Sequence, residues 1–375
     1  MKKTPRRKAE KRTAASFRNG YIISPAFDFW VTGGVSIVVV SVMLVYLWWA
    51  GSISSSLPSA SVGGLMGSAI IFQVLINWPH FIGAYSLLYR PRTNLKKYPL
   101  ATIYVPLALI LIVAAAVFLG TPGPSGGIAV HQDLVYVIWL GAAFYLAWHY
   151  TGQAWGMVAC FSKLTGLELS PGERRLLRVG LRTLLVWHVV WGAQDLPAHW
   201  LGALHSMIPA ALRFMNLACC CAFLVGVVIW FRIGTRIGRA PDRRILASWL
   251  AIYMWYLLLF FEPAAYLIVQ FSHSLQYLVF PLRMELNRAG LFAGASNRTR
   301  LLFWSGRYYI VLVLIGLFVF HLPEYFSDLS GAYTFALAVA SAVSIHHYFV
   351  DSCIWRVRDP SVRKGLFAHL APGNA

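Results

Sequence analysis

The chain has 375 residues, of which 58% are apolar, 15% aromatic and only 12% charged, and its mean hydropathy is +0.63. This composition excludes an ordinary soluble domain and indicates an integral membrane protein. The formal net charge of +19 does not indicate a nucleic-acid-binding protein, because the basic residues fall in blocks between apolar runs. We therefore expect the lipid bilayer, and no nucleic acid, as a partner.

Runs of roughly 20 apolar residues, the length that crosses the hydrocarbon core of a bilayer, recur ten times. They lie at 30–50, 62–87, 99–119, 132–161, 178–194, 210–231, 245–262, 264–282, 308–321 and 331–355. We predict an all-α fold, a polytopic transmembrane helical bundle of about ten spans. The split at Glu262-Pro263 leaves open whether residues 264–282 span the membrane or form a re-entrant segment.

Basic residues alternate with the predicted spans. Eight Lys and Arg precede the first span, and the others except Arg213 cluster at 90–97, 163–182, 232–244, 283–307 and 356–364. The intervening loops contain none, and these loops are 51–61, 120–131, 195–209 and 322–330. By the positive-inside rule, both termini are predicted to be cytoplasmic, in a bacterial inner membrane.

The chain is accordingly predicted to have one large domain between two tails. Residues 1–28 form a basic cytoplasmic tail, residues 29–356 a single transmembrane helical domain, and residues 357–375 a short cytoplasmic tail. The longest cytoplasmic connection is too short to form a separate soluble domain.

Four predicted spans carry polar side chains at intervals of three or four residues. Such residues share one helical face. The stripes are Gln73-Asn77-His80, Tyr145-His149-Gln153, Gln270-His273-Tyr277 and Ser344-His347-Asp351. Because polar groups facing lipid lose hydrogen bonds, the stripes are expected to face one another or a wet cavity.

Histidines also recur at one depth, ten residues from the basic residue at the cytoplasmic end of their span. The pairs are His80 with Arg90, His188 with Arg178, His273 with Arg283 and His346 with Arg356. His149 lies fourteen residues from Lys163, about one turn deeper. Ionisable side chains within the membrane are rare and usually functional, so a shared polar site is predicted.

The doublet His346-His347 is followed by Asp351, four residues after His347. That spacing suits two ligands of one metal, or a ligand with a carboxylate that orients its second nitrogen. The alternative is a hydrogen-bonded His–Asp pair that joins two helices. His346 points about 100° away from its neighbour.

Imidazoles with a carboxylate suit iron, zinc or copper, whereas calcium and magnesium prefer oxygen ligands. The predicted metal ligands are His80, His149, His273, His347, Asp351, His346 and His188, supported by Asn77, Gln153, Tyr277 and Ser344. We expect one or two non-haem iron ions, with copper or zinc as alternatives.

Three functions fit this pattern. The first is a membrane metalloenzyme, an oxygenase, hydroxylase or desaturase-like oxidoreductase that acts on a lipophilic small molecule and takes electrons from a cytoplasmic donor. The second is a proton-coupled transporter of a small molecule or a metal, in which the His/Asp cluster relays protons. The third is a haem- or pigment-binding membrane protein with histidines as axial ligands.

Overall fold

A computed structural model of the chain describes residues 20–49, 71–120, 130–291, 298–321, 332–356 and 359–370. All regular elements in these ranges are helices, and none is a strand. Eight of the described helices are long and apolar enough to cross a membrane. The predicted all-helical, membrane-type architecture is therefore confirmed for this part of the chain, while the count of ten spans stays a prediction.

The long helices are numbered here in chain order. They are α1 (Pro25–Trp49), α2 (73–89), α3 (Leu100–Phe118), α4 (Gln132–Leu164), α5 (Pro171–Gly192), α6 (Ile208–Ile237), α7 (Arg243–Phe261), α8 (Tyr266–Arg288), α9 (Arg298–His321), α10 (Ala332–Ile354) and α11 (Pro360–Phe367). Shorter helical turns lie at Thr93–Lys97, Ala193–Asp195, Ala198–Leu201, Gly202–Met207, Pro263–Ala265 and Ala368–Leu370.

Three of the numbered helices are not among the eight candidates: α11, which has only 8 residues, and the longer α2 and α8. The predicted span at 62–87 begins in residues outside the described ranges, so only part of it can be compared with α2. In α8 the side chains of Gln270, His273 and Gln276 lower the hydropathy of the whole helix. The polar residues that mark α8 as part of a site therefore also make it harder to recognise as a membrane span by hydropathy.

The break expected at Glu262-Pro263 is present. Glu262 ends α7, and its Oε1 accepts a hydrogen bond from the Ala264 backbone N–H at 3.0 Å. This carboxylate thereby caps the short turn that leads into α8. The 23 residues of α8 extend about 35 Å, which is long enough to cross a bilayer.

Three helices contain a wide π-helical turn, in which backbone bonding is displaced and a carbonyl is freed. The turns are Trp30–Gly34 in α1, Gln73–Asn77 in α2 and Leu100–Tyr104 in α3. Each supplies one carbonyl to a side chain of another helix. The donors are Gln276 to the Thr32 carbonyl, Tyr309 to the Leu75 carbonyl and His346 to the Ala101 carbonyl.

Both described ends of the chain lie at the same end of the bundle. The His369 imidazole is hydrogen-bonded to the Tyr21 carbonyl at 2.7 Å, and the Gly20 N–H donates to the Leu164 carbonyl at the end of α4. At the ends of α2 and α8, Arg90 pairs with Glu285 at 2.7 Å. Asn287 near the end of α8 donates to the Gly365 carbonyl at 2.8 Å, so the carboxyl ends of α4 and α8 lie near the two described termini.

An exposed ion pair fastens α11 to the turn between α2 and α3. Lys97 Nζ donates to Asp359 Oδ2 at 2.5 Å, and the Asp359 carboxylate also caps α11 by accepting from the Ser361 N–H at 2.8 Å. The hydrogen bond from Lys97, followed by those from Ser361, holds the pKa of Asp359 below its usual range. The pair is solvent-accessible, so it is sensitive to pH and salt.

We expect α11 to loosen in acid. Because the folded pKa of Asp359 is depressed, the stabilising contribution is present above the pKa of an unfolded aspartate, about 3.9. It is lost as the pH falls from there through the folded pKa. Hydrogen exchange of the α11 amides checks this: the wild type should be better protected than Asp359→Asn near neutral pH, and the difference should vanish in acid. A difference that persists in acid would contradict the expectation.

Candidate metal centre

Four histidines from four helices meet in the interior of the bundle. They are His80 on α2, His149 on α4, His273 on α8 and His347 on α10, and all four are buried. The Nε2 atoms of His80 and His347 lie 2.8 Å apart, and those of His149 and His273 lie 3.0 Å apart. The ring centroids of His80 and His273 are 5.1 Å apart. These four residues are called the imidazole cluster below.

Asp351 completes this arrangement. Its Oδ2 lies 3.6 Å from the Nε2 atoms of both His149 and His347. The other oxygen, Oδ1, accepts a hydrogen bond from the Tyr277 hydroxyl at 3.0 Å, and that hydroxyl accepts from Trp355 Nε1 at 2.8 Å. Oδ2 itself is buried and has no hydrogen-bond donor among the described residues. A carboxylate oxygen in this position needs a cation or a proton.

The geometry suits a metal ion. His80, His149, His347 and Asp351 each offer a ligand atom, and these four atoms lie within 4.8 Å of one another. Two ligand atoms held about 2.1 Å from one ion lie roughly 3.0 Å apart at a right angle and roughly 3.4 Å apart at the tetrahedral angle. The separations of 2.8 and 3.6 Å bracket this range. These three imidazoles and one carboxylate could therefore hold a metal ion.

His273 lies next to this four-residue group and outside it. Its Nε2 lies 3.0 Å from that of His149, and its ring centroid lies 5.1 Å from that of His80.

Aromatic rings hold the imidazoles in place. Phe81 stacks on His347 with ring centroids 4.1 Å apart, and Tyr348 stacks on His149 at 4.8 Å. The Nδ1 atoms of His80, His273 and His347 are buried without a hydrogen-bond partner among the described residues. Packing, rather than hydrogen bonding by Nδ1, therefore sets the orientation of these rings in the described part of the molecule.

Amide side chains form a separate layer beside the cluster. The Asn77 amide donates to Gln73, Gln73 donates to Gln270 at 2.8 Å, and the Ser274 hydroxyl donates to Asn77 at 2.6 Å. This network joins α2 to α8 one turn away from the imidazoles. Asn77 thus supports the site by fixing two helices and does not contact a cluster imidazole through any described hydrogen bond.

The other predicted supporting residues have different roles. Gln153 donates to the His273 backbone carbonyl at 3.0 Å and to Gln276 at 3.3 Å. Tyr277 binds Asp351 directly, as described above. Ser344 interacts with the Tyr348 hydroxyl, behind the ring that stacks on His149. All three lie around the predicted site.

Two predicted ligands, His346 and His188, are not brought into the cluster. His346 Nε2 donates to the Ala101 carbonyl at 2.7 Å, and the ring stacks on Tyr85. The cause is the rotation of about 100° between neighbours on a helix. His188 packs against Trp191 and Tyr256, because α5 presents that face to α7. Equal depth in the membrane did not imply a shared site.

Three further residues shape the site and were not predicted from the sequence. Gln276 joins Gln153 to the Thr32 carbonyl, Ser274 joins α8 to Asn77, and the Tyr150 ring lies 4.3 Å from the His273 ring. Gln276 and Ser274 could have been found because α8 has more polar residues than a single helical stripe contains. For Tyr150, the only indication in the sequence is that it follows His149, a stripe residue.

A cavity of about 240 Å³ leads away from the cluster. His149 and Asp351 line its inner end, and its walls include Trp355 at the carboxyl end of α10 and Leu366 of α11. Gly152 and Gly156 form one wall, and an ideal Cβ at either position would meet no atom within 4 Å. The cavity thus gives the carboxylate a route to the end of the bundle where the described termini lie.

Comparison with protein-family models, with curated proteins and with solved structures finds no match for this chain. The function is therefore inferred from the chemistry and geometry of the site, together with the membrane-type architecture around it.

Proposed function

We propose that the chain is an integral membrane metalloenzyme that binds iron at His80, His149, His347 and Asp351. The observation that carries the proposal is the buried Asp351 Oδ2, which has no hydrogen-bond donor among the described residues and faces two imidazole nitrogens at 3.6 Å. A divalent ion at this point would balance the carboxylate charge and use the nitrogen lone pairs. His273 is proposed as a further ligand.

The proposed reaction is oxidation of a lipophilic small molecule by dioxygen. Hydroxylation inserts one oxygen atom of O₂ into a C–H bond and reduces the other to water with two electrons and two protons. Desaturation removes two hydrogen atoms and, with two electrons and two protons from the donor, reduces both oxygen atoms to water. Iron with nitrogen and carboxylate ligands supplies this chemistry in non-haem oxygenases. The electrons are proposed to come from a cytoplasmic donor, reached through the end of the bundle where Trp355 lines the cavity.

An isotope experiment tests the proposed activity. Iron-loaded protein in bilayers of extracted bacterial lipid is supplied with a chemical reductant and ¹⁸O₂, and the lipids are examined by mass spectrometry. We expect a lipid that gains one labelled oxygen atom or loses two hydrogen atoms, and no change with Asp351→Asn. Uptake of a solute driven by a pH gradient in metal-free protein, with no lipid oxidation by the iron-loaded protein, would favour the transporter.

We propose ten spans with both termini cytoplasmic, in a bacterial inner membrane. The contact between Tyr21 and His369 supports an even number of crossings. Reporter fusions after residues 94, 170 and 238 are expected to report the cytoplasm, and fusions after 125 and 200 the opposite side. A fusion after residue 295 should also report the cytoplasm. If that fusion reports the outside, α8 is re-entrant and the count is wrong.

Tyr277→Phe is expected to weaken metal binding without abolishing it. The substitution removes the hydroxyl that donates to Asp351 Oδ1 and accepts from Trp355, while the ring still packs beside His80. Loss of a residue that orients a ligand costs about 10–100-fold in metal affinity or activity. Metal titration in competition with a chelator measures the change. Tyr145→Phe, on a ring that is 36% exposed, is the matched control and should bind metal as the wild type does.

A further inference from the structure

A second and more polar cavity adjoins the first. It has a volume of about 180 Å³ and lies between α4 and α5. Trp148 and Gly152 line both cavities, so they form the boundary between them. Gly152 has no side chain and no atom lies within 4 Å of its ideal Cβ position, so the space beside it is open.

The wall formed by α5 carries two arginines, Arg178 and Arg182, one helical turn apart. The Arg178 guanidinium lies over the Trp155 ring at 4.8 Å, and that of Arg182 lies over the Trp148 ring at 4.4 Å. Stacking on an aromatic face orients a guanidinium and leaves its N–H edge free to donate. Both side chains are exposed, and neither forms an ion pair with another described residue.

The charge around this cavity is not balanced by its own helix. The only carboxylate in the sequence of α5 is Glu173, and it caps the helix and pairs with Arg236 at 3.0 Å. Two more arginines, Arg174 and Arg175, precede the pair on the same helix but do not line the cavity. An anion entering from the membrane surface would therefore meet uncompensated positive charge at the cavity, whereas a neutral molecule would gain nothing from it.

We propose that Arg178 and Arg182 bind the anionic head of an amphiphile, a carboxylate or a phosphate monoester. The planar guanidinium matches both groups with paired, charge-assisted hydrogen bonds. The hydrocarbon chain of the amphiphile passes Gly152 into the first cavity, where Met157 and Phe280 offer an apolar lining and Asp351 lies at the inner end. The inference deepens the proposed function by naming its substrate class, and it rests on that function only for the reaction.

Binding measurements on the full-length protein test this site. The purified protein is stripped of metal with a chelator in a non-ionic detergent at low ionic strength, and its affinities for dodecanoate, dodecyl phosphate, dodecanol and inorganic phosphate are compared. We expect the two anionic amphiphiles to bind at least about tenfold more tightly than dodecanol. The Arg178→Gln/Arg182→Gln variant should lose this preference. The Arg174→Gln/Arg175→Gln variant, with the same charge change on the same helix, should keep it.

A further variant tests the binding of the hydrocarbon chain separately from the binding of the anionic head. Gly152→Leu is expected to weaken dodecanoate binding about tenfold by closing the passage between the cavities, without changing the response to inorganic phosphate. Inorganic phosphate that binds as tightly as dodecyl phosphate would show a site for free anions and overturn the amphiphile proposal. Equal affinity for dodecanoate and dodecanol, or equal losses in the two double variants, would overturn it as well. Since metal is removed beforehand, these results do not depend on whether iron binds at Asp351.

Discussion

His347→Ala is expected to remove most of the bound metal from the purified protein while leaving the bundle in the membrane. The His347 imidazole is the most central of the proposed ligands, because its Nε2 lies 2.8 Å from that of His80 and 3.6 Å from Asp351 Oδ2. Phe81 and Tyr348 flank it, and neither offers a substitute ligand. Loss of a residue that only orients a ligand lowers metal affinity or activity about 10–100-fold, so loss of a direct ligand should lower the affinity at least about 100-fold.

The neighbouring histidine provides a matched control. His346→Ala removes the same group from the adjacent position of the same helix, and His346 is also buried. Because its imidazole binds the Ala101 carbonyl instead of the cluster, the variant should retain full metal content. Metal per chain is measured by elemental analysis after gel filtration, with circular dichroism to check folding. Equal metal loss in the two variants, or full metal content in His347→Ala, would contradict the proposed ligand set.

Asp351→Asn is expected to lower metal affinity by a similarly large factor, for a different reason. The amide keeps the shape of the carboxylate and still accepts a hydrogen bond from the Tyr277 hydroxyl at the position of Oδ1. It removes the negative charge that faces His149 and His347 at 3.6 Å. An ion in a buried site loses both a direct ligand and the balancing charge, so the affinity should fall by more than about 100-fold.

The ranking of the variants by metal affinity is as informative as the size of each loss. Affinity should fall further in Asp351→Asn than in Tyr277→Phe, because the first changes a ligand and the second changes only its hydrogen-bond donor. Asp133→Asn makes the same chemical change at the other end of α4, where the carboxylate accepts a hydrogen bond from Trp200. This variant should leave metal affinity unchanged. If Asp351→Asn binds metal as tightly as the wild type, Asp351 serves only as a structural link from α10 to Tyr277 of α8.

The convergence of the four histidines was predictable because helical periodicity puts residues three and four apart on one face, but Tyr145 of the α4 stripe is 36% exposed. His80, His149, His273 and His347 came together as expected from that rule. The difference in depth of one turn estimated for His149 did not separate it, since its Nε2 lies 3.0 Å from that of His273. Distance along the chain from a basic residue is a coarse measure of depth, because helices extend past the bilayer by different lengths.

Neighbour relations between helices were not predictable from the sequence. His188 had the right depth, but α5 turns it toward Tyr256 of α7. The wide turn at Leu100–Tyr104, which provides the carbonyl that binds His346, has no sequence signal that periodicity detects. The cation–π pairs of α5 also depend on which face of α4 lies opposite, and only the packed structure gives that.

Metal analysis of the wild-type protein, combined with its absorption spectrum, decides whether the imidazole cluster and Asp351 hold a non-haem metal ion. The protein is purified without chelators, loaded anaerobically with ferrous iron, and passed through a desalting column. We predict one or two iron ions per chain, no Soret band, and loss of that iron in His347→Ala but not in His346→Ala. A wild-type protein that retains no metal after loading, or that carries a Soret band of bound haem, would contradict the claim that His80, His149, His347 and Asp351 form a non-haem metal centre.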